Sequence, residues 1–305
     1  MSEALWRHGL DTCPACAGRR VDSFAATAHD GQEGDVVAIL ECVACRFAWQ
    51  AMPSRTASDS VQHFETAYRP GTDAPSGYFD SEHKAQIVGL ELNYLTSVGL
   101  AGRRLIDIGG GSGAFAVAAA ARDWVVSTVD PALDPGQLAN AGVKAYKGFL
   151  SALPAHEKFD VATLWDVIEH VEDPLTFLQE VKACLSPQAT IVLSTGNYKS
   201  VDRVAGGREH WIYQLDHRWY FSPESMSRLL KLAGYEVFSS CNRVLRPGWA
   251  GQEQHRGPTL QSLLSSLVKK PFHALQALRL YQRLQEARHW PQSGLAIFTV
   301  AARSL

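Results

Sequence analysis

The sequence predicts an α/β fold, a doubly wound and mainly parallel sheet of seven strands, with a small N-terminal zinc ribbon. Two Cys-x-x-Cys pairs lie within the first 50 residues, short apolar strands alternate with helical stretches from about residue 104 onward, and a glycine-rich turn follows the first of these strands. Such alternation is typical of a parallel sheet covered by helices on both faces. The 305 residues, 46% of them hydrophobic, suffice for one full core and a small accessory module.

The N-terminal module, residues 1–52, is defined by Cys13 and Cys16, and by Cys42 and Cys45, two pairs that 25 residues separate. A Cys-x-x-Cys turn presents two sulfurs to one ion, and Zn²⁺ prefers four tetrahedral thiolates. A segment this short builds little core of its own, so metal binding would supply much of its folding energy. We therefore expect a closed, structural zinc site. The alternatives are four ordinary reduced cysteines or a redox pair.

Residues 53–100 are expected to form a linker and lead-in helices before the main module, residues 101–305. The stretch Met52–Pro75 is rich in Ser, Thr, Pro, Asp and Gly, which indicates a boundary. A helical pattern of apolar residues then runs from about Ser81 to Val98. We expect this helix to lead into the main module.

The main module is expected to contain seven strands. They are predicted, in chain order, at Leu105–Ile108, Val125–Val129, Val143–Tyr146, Phe159–Leu164, Thr190–Ser194, Tyr235–Ser239 and Leu295–Ala301. In sheets of this class, ligands bind at the carboxyl ends of the strands. The turn after the first strand is therefore a candidate binding site.

Gly109, Gly111 and Gly113 form that turn, directly before a helical run that begins at Ala114. Glycine allows a tight turn and a close approach of ligand to backbone, and a helix N-terminus offers free N–H donors. Asp130, at the end of the second strand, is placed to accept hydrogen bonds from ribose hydroxyls. The pattern alone does not separate a dinucleotide from another nucleoside cofactor, because the dinucleotide-binding turn tolerates alanine at position 114.

The stretch Leu105–Gly113, which reads LIDIGGGSG, strongly resembles the first motif of class I S-adenosylmethionine-dependent methyltransferases. Asp130, the stretch Phe159–Val171 and the stretch Leu185–Ser194 resemble three further motifs of that family in order and spacing. The resemblance covers roughly residues 60–245 and 294–305. It implies S-adenosylmethionine as the cofactor and a sheet that ends in an antiparallel hairpin.

The resemblance also implies roles for individual residues. Asp107 and the three glycines of the turn would contact the methionine and ribose parts of the cofactor, and Asp130 would bind the ribose. Phe149 and Leu150 would lie beside the adenine. Asp166, in the loop after the fourth strand, is counted among the cofactor-binding residues.

Methyl transfer to a hydroxyl needs a base, for which histidines are the candidates. His217 lies just before a helix that is predicted to begin with Ser222 as its N-cap. Because related small-molecule methyltransferases carry a histidine in this segment, His217 is the preferred base, His170 the second and His210 the third.

A second interpretation of the loop after the fourth strand involves a metal. Asp166, Glu169 and His170 resemble a set that can hold a divalent ion in ubiquinone-biosynthesis-type O-methyltransferases, except that this chain has Asp where that pattern has Glu. Their spacing would place them on one face of a helical turn. The alternative is an ordinary loop in which His170 caps or packs.

We expect methyl transfer, at oxygen, to a small-molecule or glycan-like metabolite. Lys and Arg number 29 and Asp and Glu 31, which gives a formal net charge of −2, so no basic field attracts nucleic acid. One alternative is a C-methyltransferase of a sugar nucleotide or polyketide-type substrate, since sugar C-methyltransferases also place a four-Cys zinc module before this domain. The other is a non-catalytic, cofactor-binding scaffold.

Residues 246–291 are predicted to be a helical insertion before the last strand. Apolar residues recur at helical spacing after Pro258 and Pro271, and seven Lys or Arg stand against two Glu, a charge of +5. Residues 258–289 are therefore candidates for peripheral contact with anionic lipid or for dimerisation. With no signal peptide or membrane span in the sequence, we expect a cytoplasmic protein.

Overall fold

The computed structural model describes residues 12–29, 32–51, 81–243 and 296–305. The predicted insertion at 246–291 and residues 53–80 of the predicted linker lie outside these residues. Membrane contact or dimerisation through 258–289 therefore stays a prediction.

The described residues form eleven strands and six helices. The strands are β1 (Val21–Thr27), β2 (Val36–Cys42), β3 (Ala48–Gln50), β4 (Arg104–Ile108), β5 (Val125–Asp130), β6 (Lys144–Lys147), β7 (Phe159–Trp165), β8 (Leu185–Gly196), β9 (Trp219–Tyr220), β10 (Tyr235–Arg243) and β11 (Ile297–Ser304). The helices are α1 (Ser81–Ser97), α2 (Ala114–Ala120), α3 (Pro135–Leu138), α4 (Pro174–Ala183), α5 (Val201–Gly206) and α6 (Pro223–Leu232).

The main sheet has seven strands in the order β10-β11-β8-β7-β4-β5-β6. The five strands from β8 to β6 are parallel, whereas β11 runs antiparallel to both β8 and β10. The predicted doubly wound, mainly parallel sheet with a closing antiparallel hairpin is confirmed. The register pairs Asp107 of β4 with Thr163 of β7, which brings the ends of these two strands to one edge.

Side chains that precede two of the helices cap their N-termini. Ser222 caps α6: its hydroxyl accepts from the Ser225 amide at 3.3 Å, and the Ser225 hydroxyl accepts from the Ser222 amide at 2.9 Å. Asp173 caps α4 with one carboxylate oxygen, which accepts from the amides of Leu175 and Thr176, each at 3.0 Å. Such caps satisfy amides that have no partner within the helix.

The N-terminal segment forms a second, antiparallel sheet in the order β1-β2-β3-β9. Its fourth strand comes from the main module, because Ala48 pairs with Tyr220 and Trp49 with Trp219. The two modules also share one hydrophobic core, in which Cys13, Cys42 and Phe47 join strands of the main sheet. No helix in the described ranges combines the length and hydropathy needed to cross a membrane.

Candidate active site

The glycine-rich turn connects β4 to α2 at the edge where β5 and β7 also end. Gly109, Gly111 and Gly113 all have positive φ, at 73°, 54° and 78°. A Cβ atom at Gly109 would lie 2.5 Å from Val167 Cγ2, and one at Gly113 would lie 2.6 Å from Leu138. The turn therefore requires glycine both for its backbone conformation and for its contacts.

Asp107, the third residue of the LIDIGG motif, is buried beneath this turn. Its Oδ1 accepts from the Thr163 hydroxyl at 2.8 Å, whereas its Oδ2 is buried without a hydrogen-bond partner among the described residues. Burial raises the pKa of Asp107 to about 7. A buried acceptor with one unsatisfied oxygen fits a bound ligand that carries a positive charge or donates a hydrogen bond.

Asp130 ends β5 beside the turn. Its Oδ2 accepts from the Gly111 amide at 3.0 Å and its Oδ1 from the Ala132 amide at 2.7 Å. The Gly148 amide donates to the Asp130 carbonyl at 3.1 Å, and this bond brings the following residues, the exposed Phe149 and the partly buried Leu150, to the same edge. The predicted cofactor residues therefore converge on one edge of the sheet.

Lys84, which belongs to none of the sequence motifs, also reaches this turn. Its ammonium donates to the Ser112 hydroxyl, and burial lowers its pKa. Helix α1 carries it there. No sequence signal separates Lys84 from a solvent-facing helix lysine, because its position depends on how α1 packs against α2.

Asp166 opens the loop after β7 with a positive φ of 54°. Its amide donates to the Ser194 carbonyl at 3.1 Å, and its Oδ1 accepts from the Ser194 hydroxyl at 3.1 Å. These bonds hold the exposed Asp166 carboxylate beside the end of β8.

Two histidines from distant parts of the chain lie together beyond this loop. The rings of His170 and His217 are 4.8 Å apart at an angle of 70°. His170 Nδ1 lies 3.2 Å from the Asp216 carbonyl and 3.6 Å from the Asp216 carboxylate, and His217 Nδ1 lies 2.8 Å from the Ile212 carbonyl. Since a carbonyl only accepts, Nδ1 carries the hydrogen in each ring, and Nε2 is the basic nitrogen of the neutral form.

The electrostatic surroundings of the histidines differ. Burial lowers the pKa of His170, but the carboxylates of Asp216, Glu169 and Asp166 together outweigh burial, so that its pKa lies above the ordinary value. Burial, with Arg203 nearby, lowers the pKa of His210 to about 3. His210 is therefore a weaker base than His170.

The potential metal ligands that lie together near this loop differ in one member from the set that the sequence predicts. Potential ligand atoms of Glu169, His170 and His217 lie within 4.8 Å of one another, and Asp166 is not part of this group. The loop closes as a tight turn in which the His170 amide donates to the Val167 carbonyl at 3.0 Å. In this group of potential ligands, His217 stands in place of the predicted Asp166.

The four cysteines of the N-terminal module form a second cluster of ligand atoms. Cys13 Sγ lies 3.5 Å from Cys45 Sγ, Cys16 Sγ lies 3.6 Å from Cys42 Sγ, and all four sulfurs are within 4.8 Å of one another. Four sulfurs at about 2.3 Å from a tetrahedral Zn²⁺ stand about 3.8 Å apart. The donor set and its dimensions fit this ion.

The two cysteine turns have the same conformation. The Ala17 amide donates to the Cys13 carbonyl at 2.8 Å and the Arg46 amide to the Cys42 carbonyl at 2.9 Å, with left-handed φ angles of 60° and 62° at the donors. Two non-glycine residues in this conformation are uncommon. The repeat indicates a pair of matched knuckles that face each other.

Comparison with known proteins identifies the class to which this fold and site belong. A family model described as a methyltransferase domain matches residues 81–240, more than half of the chain. The chain belongs to this family and is an S-adenosylmethionine-dependent methyltransferase.

The relatives show which methyltransferases this chain is similar to. Ubiquinone biosynthesis O-methyltransferases of Histophilus somni and Marinobacter nauticus are 29% and 32% identical over 170 and 182 residues, which cover 51% and 53% of this chain and 71% and 76% of theirs. That of Dinoroseobacter shibae is 31% identical over 163 residues, which cover 48% of this chain but only 65% of its own. This chain is therefore similar to these enzymes over about half its length.

Solved structures agree on the fold alone. The 1,6-didemethyltoxoflavin-N1-methyltransferase of Burkholderia thailandensis has 16% identity and a TM-score of 0.53 over 86% of this chain and 97% of its own. The [4+2]-cyclase SpnF has 17% identity and a TM-score of 0.50 over 83% and 98%. Because one of these two proteins is described as a cyclase, similarity of fold does not identify the molecule that accepts the methyl group.

Proposed function

We propose that the protein transfers a methyl group to a hydroxyl oxygen of a small-molecule or glycan-like metabolite, with a histidine as the base. The observation that carries the proposal is the pairing of His170 with His217 beyond the loop after β7. Val167 of this loop lies against Gly109 of the glycine-rich turn, so the pair belongs to the same edge as the cofactor residues. The names of the ubiquinone-type relatives add support for oxygen as the acceptor atom.

The chemistry requires a base and an oriented acceptor. When bound, S-adenosylmethionine supplies an electrophilic methyl group on a sulfonium and departs as a neutral thioether, so no acid is needed. A neutral hydroxyl is a weak nucleophile, and a positioned base typically accelerates such a step by about 100- to 10,000-fold. Much of the remaining catalysis comes from in-line positioning of the two reactants.

We assign removal of the proton of the acceptor hydroxyl to Nε2 of His170. His217, which the sequence alone favoured as the base, is assigned the role of orienting the acceptor. His170 is partly exposed, whereas His217 is buried. The Asp216 carboxylate, 3.6 Å from His170 Nδ1, would stabilise the imidazolium that forms. Asp107, Asp130 and the turn glycines would hold the cofactor, with Phe149 and Leu150 beside its adenine.

A structural Zn²⁺ at Cys13, Cys16, Cys42 and Cys45 completes the proposal. Four thiolates leave no open coordination position, so the ion would fold the module and not take part in methyl transfer. The matched knuckles and the spacing of the sulfurs support this assignment.

The test begins with cofactor binding. Calorimetry with S-adenosylhomocysteine should give micromolar affinity in the wild type and at least about a tenfold loss in Asp107→Ala/Asp130→Ala. A panel of catechols, phenols and sugars with S-adenosylmethionine, labelled in its methyl group, then identifies acceptors. A methylated oxygen supports the proposal, and a methylated carbon would replace it with the C-methyltransferase alternative.

A further inference from the structure

The cysteine cluster is physically continuous with the acceptor side of the candidate active site. Strand β3 begins three residues after Cys45, and it pairs with β9, which begins two residues after His217. The ladder is extended by the Gln50 amide, which donates to the Arg218 carbonyl at 3.0 Å. The cysteine module therefore borders the His217 segment through main-chain hydrogen bonds.

Two buried side chains of the module add ties to the main module. Gln50 Nε2 donates to the Gln214 carbonyl at 2.8 Å and to the Leu215 carbonyl at 3.3 Å. Glu41, which precedes Cys42, accepts from the Tyr198 hydroxyl at 2.5 Å. The Gln50 bonds hold the His217 segment itself, and the Glu41 bond ties the cysteine module to the loop after β8.

Aromatic packing links the second cysteine turn to the same strand. The Phe47 carbonyl accepts from the Cys42 amide at 2.9 Å. The Phe47 ring stacks on that of Trp219, with 6.3 Å between the ring centroids, and lies 5.6 Å from that of Phe221. All three rings are buried with Cys13 and Cys42 in one cluster. A shift of the cysteine turn would displace Phe47, and a core packed at native density transmits such a shift.

The His217 segment in turn holds the loop that carries His170. The amides of Arg218 and Trp219 donate to the Glu169 carbonyl at 2.8 and 3.3 Å, and Trp219 Nε1 donates to the Val171 carbonyl at 2.8 Å. The segment thus lies between the cysteine module and the His170 loop and is bonded to both.

From this chain of contacts we propose that the metal-loaded four-cysteine centre positions the histidine pair, by holding β3 against β9. The inference rests on the proposed function only in assigning the acceptor to this pair. Loss of the metal should loosen residues 214–221 and the His170 loop. It should leave the glycine-rich turn and Asp130 intact, because β4 and β5 are held by their neighbours in the seven-stranded sheet, to which β9 does not belong.

The test uses the full chain and measures zinc content, amide hydrogen exchange and S-adenosylhomocysteine affinity. Cys45→Ser should lose the metal and exchange at least about tenfold faster at residues 214–221, with β4, β7 and β8 unchanged. Its affinity for S-adenosylhomocysteine should stay within about twofold of wild type. Cys241→Ser, a cysteine outside the cluster, is the matched control and should behave as wild type.

Gln50→Ala separates positioning from simple unfolding of the module, because it keeps all four sulfurs. We expect it to retain zinc and cofactor affinity while residues 214–218 exchange faster. Unchanged exchange in Gln50→Ala or in metal-free Cys45→Ser, or a wild-type chain without bound metal, would overturn the inference. Failure of the wild type to bind S-adenosylhomocysteine would instead count against the proposed function, since exchange at 214–221 is measured without cofactor.

Discussion

His170 and His217 lie with their imidazole rings 4.8 Å apart, and neither position is set by its own sequence neighbours alone. Backbone bonds from Arg218 and Trp219 to the Glu169 carbonyl bring the two segments together. The pair gives the site two basic nitrogens within a small volume, next to the Asp216 carboxylate. Its proposed role in deprotonating the acceptor has direct consequences for mutant kinetics.

His170→Ala should lower kcat for the best acceptor by about 100-fold or more, because the proton then has no positioned acceptor. His217→Ala should also lower kcat, and the double variant should be little worse than His170→Ala, since residues that act as a unit are not additive. Steady-state kinetics, with S-adenosylhomocysteine affinity as a check on the fold, measures this.

His156→Ala serves as the control, because His156 is exposed before β7, at the opposite edge of the sheet. It should leave kcat unchanged. Full activity of His170→Ala would remove that residue from the mechanism, and additive losses in the double variant would show that the two histidines act independently.

The positions of the main-sheet strands along the chain and of the glycine-rich turn could be predicted from sequence, because they depend on local patterns. The strand of Leu105–Ile108 and the glycines after it identify themselves by composition and spacing. Strand β9 could not be predicted: two residues, Trp219 and Tyr220, carry no periodicity, and they form a strand only because β3 pairs with them. The grouping of His217 with Glu169 and His170 could not be predicted for the same reason, since it depends on tertiary contacts.

Asp107 should make the stability of the cofactor-free protein depend on pH. Its pKa is raised from 3.8 to about 7 by burial, so the folded state binds a proton that the unfolded state releases near pH 4. The stabilisation is fully present below about pH 4 and is lost as the pH rises through about 7. Denaturant titrations between pH 4 and 8 should show this fall in the free energy of unfolding.

Asp107→Asn retains an acceptor for the Thr163 hydroxyl but does not titrate. The difference in unfolding free energy between this variant and wild type should therefore grow in favour of the variant from about pH 4 to about pH 7. A difference that stays constant with pH would show that Asp107 titrates normally in the folded protein.

Lys84 should contribute to cofactor affinity through the carboxylate of the methionine part. The partly buried Lys84 contacts Ser112 in the glycine-rich turn through its ammonium group. A ligand carboxylate bound there would accept a charge-assisted hydrogen bond from this ammonium and stabilise its charged form. Lys84→Met should weaken S-adenosylhomocysteine binding about tenfold, and Lys84→Arg should weaken it less. Calorimetry measures both affinities.

The matched ligand for this prediction is 5′-methylthioadenosine, which lacks the amino-acid carboxylate. Its affinity should be the same in Lys84→Met and wild type. An equal loss for both ligands would mean that Lys84 supports the turn itself and not the carboxylate.

Gly113 and Gly142 offer a matched test of how the turn is built. Both have a left-handed backbone, with φ of 78° and 71°, but a Cβ at Gly113 would lie 2.6 Å from Leu138, whereas one at Gly142 meets nothing within 4 Å. Gly142→Ala should lower the free energy of unfolding by about 1–2 kcal/mol, the cost of the left-handed conformation alone. Gly113→Ala should lower it further, because Leu138 must move as well, and should weaken S-adenosylhomocysteine binding, which Gly142→Ala leaves unchanged. Equal destabilisation by the two substitutions, measured by denaturant unfolding, would show that the contact with Leu138 relaxes without cost and that backbone conformation is the sole requirement at Gly113.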